Sequence, residues 1–511
     1  MKKEKVMKKK KEMNKEIVKS NFNNYKDNLP YEENSKLEKF FKELDILCTL
    51  PKVEKKELKN DFENAFLYYH ENGIEFNKAM KLLDLKNLGG FYSRPNDFWL
   101  ELDDVAKTYT QFMKRDFVSV FRLSVYLKEE VNEVLLQMAL NFTIKRFPSF
   151  AMSLKKGFFW HYLESCKTRY AVEKEKYLPV QRIRLSFAGS KAFRVIYYLN
   201  RISVEFFHGM TDGSGGLEFL KALVATYAKL TGKEVSDTDL IKDINDSPEA
   251  SEYSNDFLKV EKRLSASGFI NKKALQMAGR LTQEKPCRVL HFKMDATRLK
   301  EAAKKYETTV TSYLVTLMTL SAKAAIEERK GDISICVPVN MRKFYPSLTL
   351  RNFSMYCLIR TPIDDACDVK TLAKRVSEEL KQKSSKEVMQ EMMSSTAGMI
   401  NSIKYIPLIL KQPVLKLLYK VYGDRLFTLT ISNLGVVDFG KDLTKYIESG
   451  DFVLGTTAVN RCNTSLITIN NVSTLSISKL TVDPSFENKL YDLLLKDGID
   501  IEVEGSECYG H

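Results

Sequence analysis

The chain of 511 residues is 44% hydrophobic and 29% charged, enough to bury a large core and, at ordinary domain size, to form two or more lobes with a cleft between them. Its net charge of +14 is uneven: residues 1–20 hold nine Lys and three Glu, +6 of the total, so the remaining +8 is a mild excess that suits an anionic cofactor as well as a nucleic acid. The eight Cys (48, 166, 287, 336, 357, 367, 462, 508) form no C-x-x-C pair, which speaks against a zinc site or a disulfide framework and for a reducing cytoplasm.

In chain order, residues 1–32 read as a Lys-rich, solvated, disordered tail without the apolar run of a secretory signal. Residues 33–91 read as a helical extension, with Leu37, Phe40, Phe41 and Leu44 at helical spacing and a second helix closing on Gly73. A first lobe over 92–230 follows. "DFVSVFRLSVYL" (116–127) alternates like a strand, the next segment places apolar residues at 131, 134, 135, 138 and 142 on one helix face, and "FAMSLKKGFFWHYL", "VQRIRLSF" and "FRVIYYLNRISVEFFHG" are strand-like. Residues 231–286 are charged and small-residue-rich, as a linker is. A second lobe over 287–511 repeats the theme with "CRVLHFKM" and "DISICVPVNM" as strands around two helical stretches. The uncharged run 308–322 is too short and too Thr-rich to cross a bilayer. The expected fold is α/β: two similar lobes, each a mixed β-sheet with flanking helices, and an N-terminal helical extension.

The stretch "SVEFFHGMTDGSGGLEFLKAL" (203–223) draws the chemistry. A phosphate loop fails because Leu217 stands where Lys is required, and a nucleophile elbow fails because Asp212 precedes Ser214 by two. Metal binding by His208 and Asp212 lacks helical geometry or further ligands, since the glycines between them and the helix read as a turn. What is left is a lone His at a strand end, on one face with Ile202, Val204 and Phe206; desolvation there keeps an imidazole neutral and available as a general base, or else it is a core His bonded to a carbonyl. Asp212 either caps a helix starting near Leu217 or pairs with a distant Arg.

His208-Gly-Met-Thr-Asp212-Gly213 resembles the H-x-x-x-D-G motif of the CoA-dependent acyltransferase superfamily, which includes chloramphenicol acetyltransferase, alcohol acetyltransferases, wax-ester synthases and condensation domains. "VPVNMRKFYPSLTLRNFSMY" (337–356) is similar to that superfamily's P-V-x-x-R segment followed by Asn, and "TISNLG" (430–435) to its late strand and turn. The resemblance covers residues 92–511 and is closest to the alcohol acetyltransferase branch. Phe207 replaces the first of the paired histidines common in condensation domains, and "DFGK" (438–441) keeps only the start of the plant D-F-G-W-G motif.

The resemblance implies a chloramphenicol acetyltransferase-like fold and direct acyl transfer in a tunnel between the lobes, with His208 as base. It further implies a structural salt bridge from Asp212 to Arg342, Gly213 in the turn, and Ser432 or Asn433 as oxyanion helper. Acyl-CoA is the expected co-substrate, with no tightly bound cofactor, metal or nucleic acid; the acceptor is an alcohol, lipid or amine. A condensation-domain-like enzyme taking its acyl group from a carrier protein, to form an amide or ester, is the alternative. A silent binding protein working through its basic tail is a third reading.

One segment stands apart from the resemblance. In "PVLKLLYKVYGD" (413–424), Pro413 and Gly423 suit helix ends, and Val414, Leu415, Leu417, Leu418, Val421 and Tyr422 share a face opposite Lys416 and Lys420. Pro407 separates it from the apolar "IKYIPLILKQ". Residues 404–422 either pack on the second lobe or give a cytoplasmic protein a peripheral contact with the inner membrane.

Overall fold

The computed structural model describes residues 19–88, 99–112, 119–166, 168–183, 185, 191–236, 240–259, 272–422, 424–457 and 459–505. Residues 1–18 of the expected tail, the 92–98 stretch and Gly423 lie outside them, as do the side chains of Leu418, Lys420, Val421 and Tyr422.

The first lobe is built on a five-stranded sheet in the spatial order Ile447–Leu454, Val120–Leu127, Arg201–Phe207, Phe193–Tyr198, Val172–Lys174. Its neighbours run antiparallel except the last pair. The second lobe is a mixed seven-stranded sheet in the order Ser354–Pro362, Asp332–Asn340, Leu429–Val436, Cys462–Ile469, Val472–Lys479, Arg288–Asp295, Glu502–Gly505. A three-stranded sheet joins Trp99–Glu101 to the hairpin Met152–Lys156/His161–Ser165. The two-lobed α/β architecture expected from the sequence is therefore present, with one exchange between its halves. Strand Ile447–Leu454 leaves the C-terminal half and completes the first sheet, where buried Asp451 accepts hydrogen bonds from Ser124 Oγ at 2.8 Å and Tyr126 Oη at 2.9 Å.

Helices cover the sheets where their apolar stripes demand it. Glu133–Thr143 is capped by Asn132, whose side chain accepts from Leu135 N, and it packs on the long helix Gly213–Leu230. Helices Tyr31–Leu47 and Lys52–Glu71 bury Phe40, Phe41, Phe62 and Phe66 in the same core, and Asp61 binds Arg169 at 2.6 Å and Asn141 at 2.9 Å. The extension is thus an integral layer of the first lobe.

Three expectations change. Residues 19–27 are helical rather than a loose tail, because Phe22 and Tyr25 are buried against Phe41 and His70. Residues 180–183 are irregular rather than a strand, since Val180 takes φ +54° and turns its N–H onto Glu205. The linker folds back on both lobes: Glu252 forms a two-bond pair with Arg146 (2.6 and 2.7 Å), and its carbonyl accepts from Leu350 N.

Candidate active site

Strand Arg201–Phe207 delivers His208, and the strand is anchored from beneath by a buried ionic network. Arg122 pairs with Glu205 at 2.7 Å and Glu175 at 2.6 Å, and Arg194 and Arg201 engage the same two carboxylates. The His208 N–H continues the ladder to Ser119 O at 2.7 Å. Its ring stacks on Tyr109 (centroids 4.5 Å apart, 25° between planes) and meets the edge of Phe121 at 5.0 Å. These apolar walls desolvate the imidazole and hold its pKa below the ordinary value; a hydrogen bond to its own backbone carbonyl, the Asp212 charge and the bond His208 donates to Asn352 pull the other way. Near pH 7 the ring is neutral.

Which nitrogen carries the proton follows from Asn352, a buried residue on the second lobe. Its Nδ2 donates to Asp103 Oδ2 at 3.3 Å, so its Oδ1 faces His208 Nδ1 at 3.2 Å. An amide oxygen only accepts; Nδ1 must therefore be the protonated nitrogen, and Nε2 keeps its lone pair. Asp103 is itself held: it accepts from Ala106 N at 2.7 Å, and Arg351 Nε lies 3.8 Å away. The Ala106 bond secures the first turn of helix Asp104–Phe112, which carries Tyr109 to the imidazole. The Tyr109 hydroxyl is pushed up by burial and stays protonated at any working pH.

Asp212 points away from His208. Its Oδ1 accepts from Gly215 N at 3.0 Å and caps the helix; its Oδ2 accepts from Arg342 Nη1 at 2.8 Å and from Phe353 N at 2.9 Å. Arg342 also donates to the carbonyls of Thr349 and Arg351 (2.8 and 2.7 Å) and to Asn340 Oδ1 (3.3 Å), so one ion pair fastens loop 349–353 under the His208 turn. Both roles weighed for Asp212 thus fall to the one side chain.

The glycines following Asp212 are not an open turn: the helix begins at Gly213, four residues before Leu217. They are small because other parts of the chain come close, a side chain at Gly213 and backbone at Gly215. A Cβ on Gly213 would lie 2.9 Å from Leu434, and one on Gly215 only 2.1 Å from Leu350 O. Gly213 is placed by packing and shows no left-handed φ.

Ser432 and Asn433 lie on strand Leu429–Val436 of the second sheet. The Asn433 amide donates to Thr311 Oγ1 at 3.0 Å and its oxygen accepts from Gly435 N at 2.7 Å, so that side chain serves its own turn. Ser432 is half-buried and, by alternation, shares the face of Leu434, which meets Gly213. Among the described residues neither hydrogen-bonds to His208. Sequence reading passed over Asp103 and Tyr109, and gave Asn352 no role. The Asp-Asp pair ahead of "VAKTY" is a readable cap signal; nothing local marks Tyr109.

No family model matches the sequence, and no curated protein matches it. Solved structures do. The Fusarium sporotrichioides TRI101 protein complexed with coenzyme A and T-2 aligns with a TM-score of 0.55 at 13% identity, over 80% of this chain and 99% of its own. Polyketide synthase associated protein 5 from Mycobacterium tuberculosis aligns with 0.52 at 12%, over 77% and 97%. The starter condensation domain of rhizomide synthetase in complex with C8-CoA aligns with 0.51 at 11%, over 79% and 98%. This chain has the fold these proteins share.

Proposed function

We propose that the protein is an acyl-CoA-dependent acyltransferase that moves an acyl group from the thioester to the hydroxyl of an alcohol or lipid in the cytoplasm. The observation that carries the reading is the desolvated His208 whose Nδ1 is engaged by Asn352, which leaves Nε2 as a base at the seam of the lobes. His208 Nε2 takes the acceptor's proton as its oxygen attacks the thioester carbonyl. The tetrahedral oxyanion then collapses with cleavage of the C–S bond, and the imidazolium returns its proton to the departing thiolate, giving ester and free CoA thiol. Positioning both substrates and the base supplies most of the acceleration in such a transfer.

Ser432 is the side chain we assign to the oxyanion, because Asn433 is committed to Thr311 while Ser432 faces the first lobe. Asp212 and Arg342 hold the loop and carry no proton. The fold shared with coenzyme A and C8-CoA complexes supports a CoA donor. The test is release of free thiol from acyl-CoAs of graded chain length against a panel of alcohols and amines, with products read by mass spectrometry. Thiol release that requires both an acceptor and His208 is expected. Turnover with an acyl carrier protein but with no acyl-CoA would move the protein to the condensation-type reaction, and thiol release unaffected by His208→Ala would overturn the mechanism.

A further inference from the structure

We propose that the tip of the hairpin Met152–Lys156/His161–Ser165 and the outer side of helix Leu408–Tyr422 form one face that seats on an anionic lipid bilayer. The two segments are joined in the structure: Leu408 N donates to Phe158 O at 2.8 Å, and Phe159 meets Tyr405 edge-on at 6.1 Å. The helix begins at Leu408 and carries Pro413 inside it, where the carbonyl left without a donor is that of solvent-exposed Ile409. Its stripe divides. Leu408 and Lys411 are buried and Leu415 is half-buried, while Ile409, Leu410 and Leu417 are 73, 64 and 63% exposed. Beside them stand Phe158 at 71% and Tyr405 at 75%. Large apolar side chains gathered at this density on a surface mark a contact site.

Charge selects the occupant. The sequence has no Asp or Glu from 134 to 163 or from 392 to 423, while Lys156, Lys404 and Lys416 edge the patch and Lys155 beside them is paired with Glu164 at 3.3 Å. An apolar centre edged by three lysines unspent in ion pairs among the described residues, with the Glu164 carboxylate at its margin already paired, matches acyl chains beneath anionic headgroups, each such Lys adding to the attraction. The chain's own basic N-terminus, +6 over residues 1–20, carries the wrong sign to cover it.

The face also lies close to the base. Helix Leu408–Tyr422 packs on helix Asp104–Phe112, and the Trp160 ring takes Lys411 at 3.2 Å and Lys107 at 5.7 Å, clasping hairpin and both helices together. Two residues after Lys107, Tyr109 stacks on His208. A membrane-held hydroxyl would thus enter one helix away from the imidazole; this purpose, though not the binding itself, rests on the acyltransferase reading.

The test is co-sedimentation of the full chain with vesicles of phosphatidylcholine alone and of phosphatidylcholine and phosphatidylglycerol in equal parts. Wild type and His208→Ala are expected to bind the anionic vesicles equally and to be released by salt. The triple variant Phe158→Glu, Ile409→Glu, Leu417→Glu should lose at least about tenfold in partition, since three apolar anchors become anions. It should keep its circular dichroism and its thiol release with a short water-soluble alcohol. Undiminished vesicle binding by the folded triple variant, or no binding by wild type, overturns the proposal. So does a wild-type dimer that the triple variant dissociates, which would make the face a protein interface. Loss of thiol release in His208→Ala with vesicle binding intact separates the fate of the chemistry from that of the surface.

Discussion

Replacing Asn352 by leucine tests the site at its most constrained point, because the change keeps the volume and removes both polar atoms. His208 Nδ1–H then loses its side-chain acceptor and keeps only its own backbone carbonyl, and a hydrogen bond lost to a group that becomes charged costs about 1.5–3 kcal/mol. The cost falls most heavily on the transition state, where the ring becomes an imidazolium and both its N–H groups need partners. At about 1.4 kcal/mol per tenfold, kcat should drop roughly ten- to a hundredfold with little change in KM. Asp103 keeps Ala106 N at 2.7 Å and Arg351 at 3.8 Å, so the loss of stability should stay within about 1–2 kcal/mol. The pH profile supplies a second readout. The Asn352 bond raises the His208 pKa against the lowering effect of burial. Its removal therefore carries the acid limb of kcat/KM, which in wild type lies below the ordinary 6.5 of imidazole, to still lower pH. Stopped-time thiol release between pH 4.5 and 8 measures both. A wild-type kcat, or a limb that stays in place or moves up, would refute the assignment of Nδ1 as the protonated nitrogen.

Three further outcomes are expected. His208→Ala should leave the melting temperature near wild type and lower turnover about 10²- to 10⁴-fold in the same thiol assay, the range for a positioned general base. Asp212→Asn and Arg342→Ala should each cost about 2–4 kcal/mol in denaturant unfolding, somewhat below a fully buried pair because Arg342 is only partly covered, and a double-mutant cycle should return a coupling of at least about 1 kcal/mol; additive losses would show the 2.8 Å contact to be idle. Gly215→Ala should cost about 1–3 kcal/mol and reduce activity, because a Cβ 2.1 Å from Leu350 O must push the second-lobe loop away from the His208 turn.

Local patterns explain the part of this architecture that was legible in advance. Alternation in 120–127 and 201–207 and helical spacing in 133–143 reveal the elements themselves, but not that the fold covers both faces of each, polar residues included. His208 stood out because a strand of apolar residues ended on a titratable one. The glycine run misled for a physical reason: glycine signals a turn when it serves backbone freedom, but here it serves close approach, and the carbonyl that requires it belongs to Leu350, far along the chain. Asn352 and Asp103 were invisible as a pair because neither has a local periodicity, and only the folded seam of the lobes aligns them with the imidazole. The same holds for Phe158, an apolar residue in an apparent strand until the hairpin turns it outward.

The strand that crosses between the halves bears on how the protein can be made. During synthesis the first sheet waits for residues 447–454, so Val120–Leu127 has an unfilled edge until most of the polypeptide has left the ribosome. An N-terminal fragment ending at the linker would expose that edge permanently, along with Ser124 and Tyr126, which lose the buried Asp451 carboxylate they share. Expression of the first lobe alone should therefore yield aggregates, whereas two separately expressed pieces divided near residue 286 should become soluble together, by trading the strand across the cut.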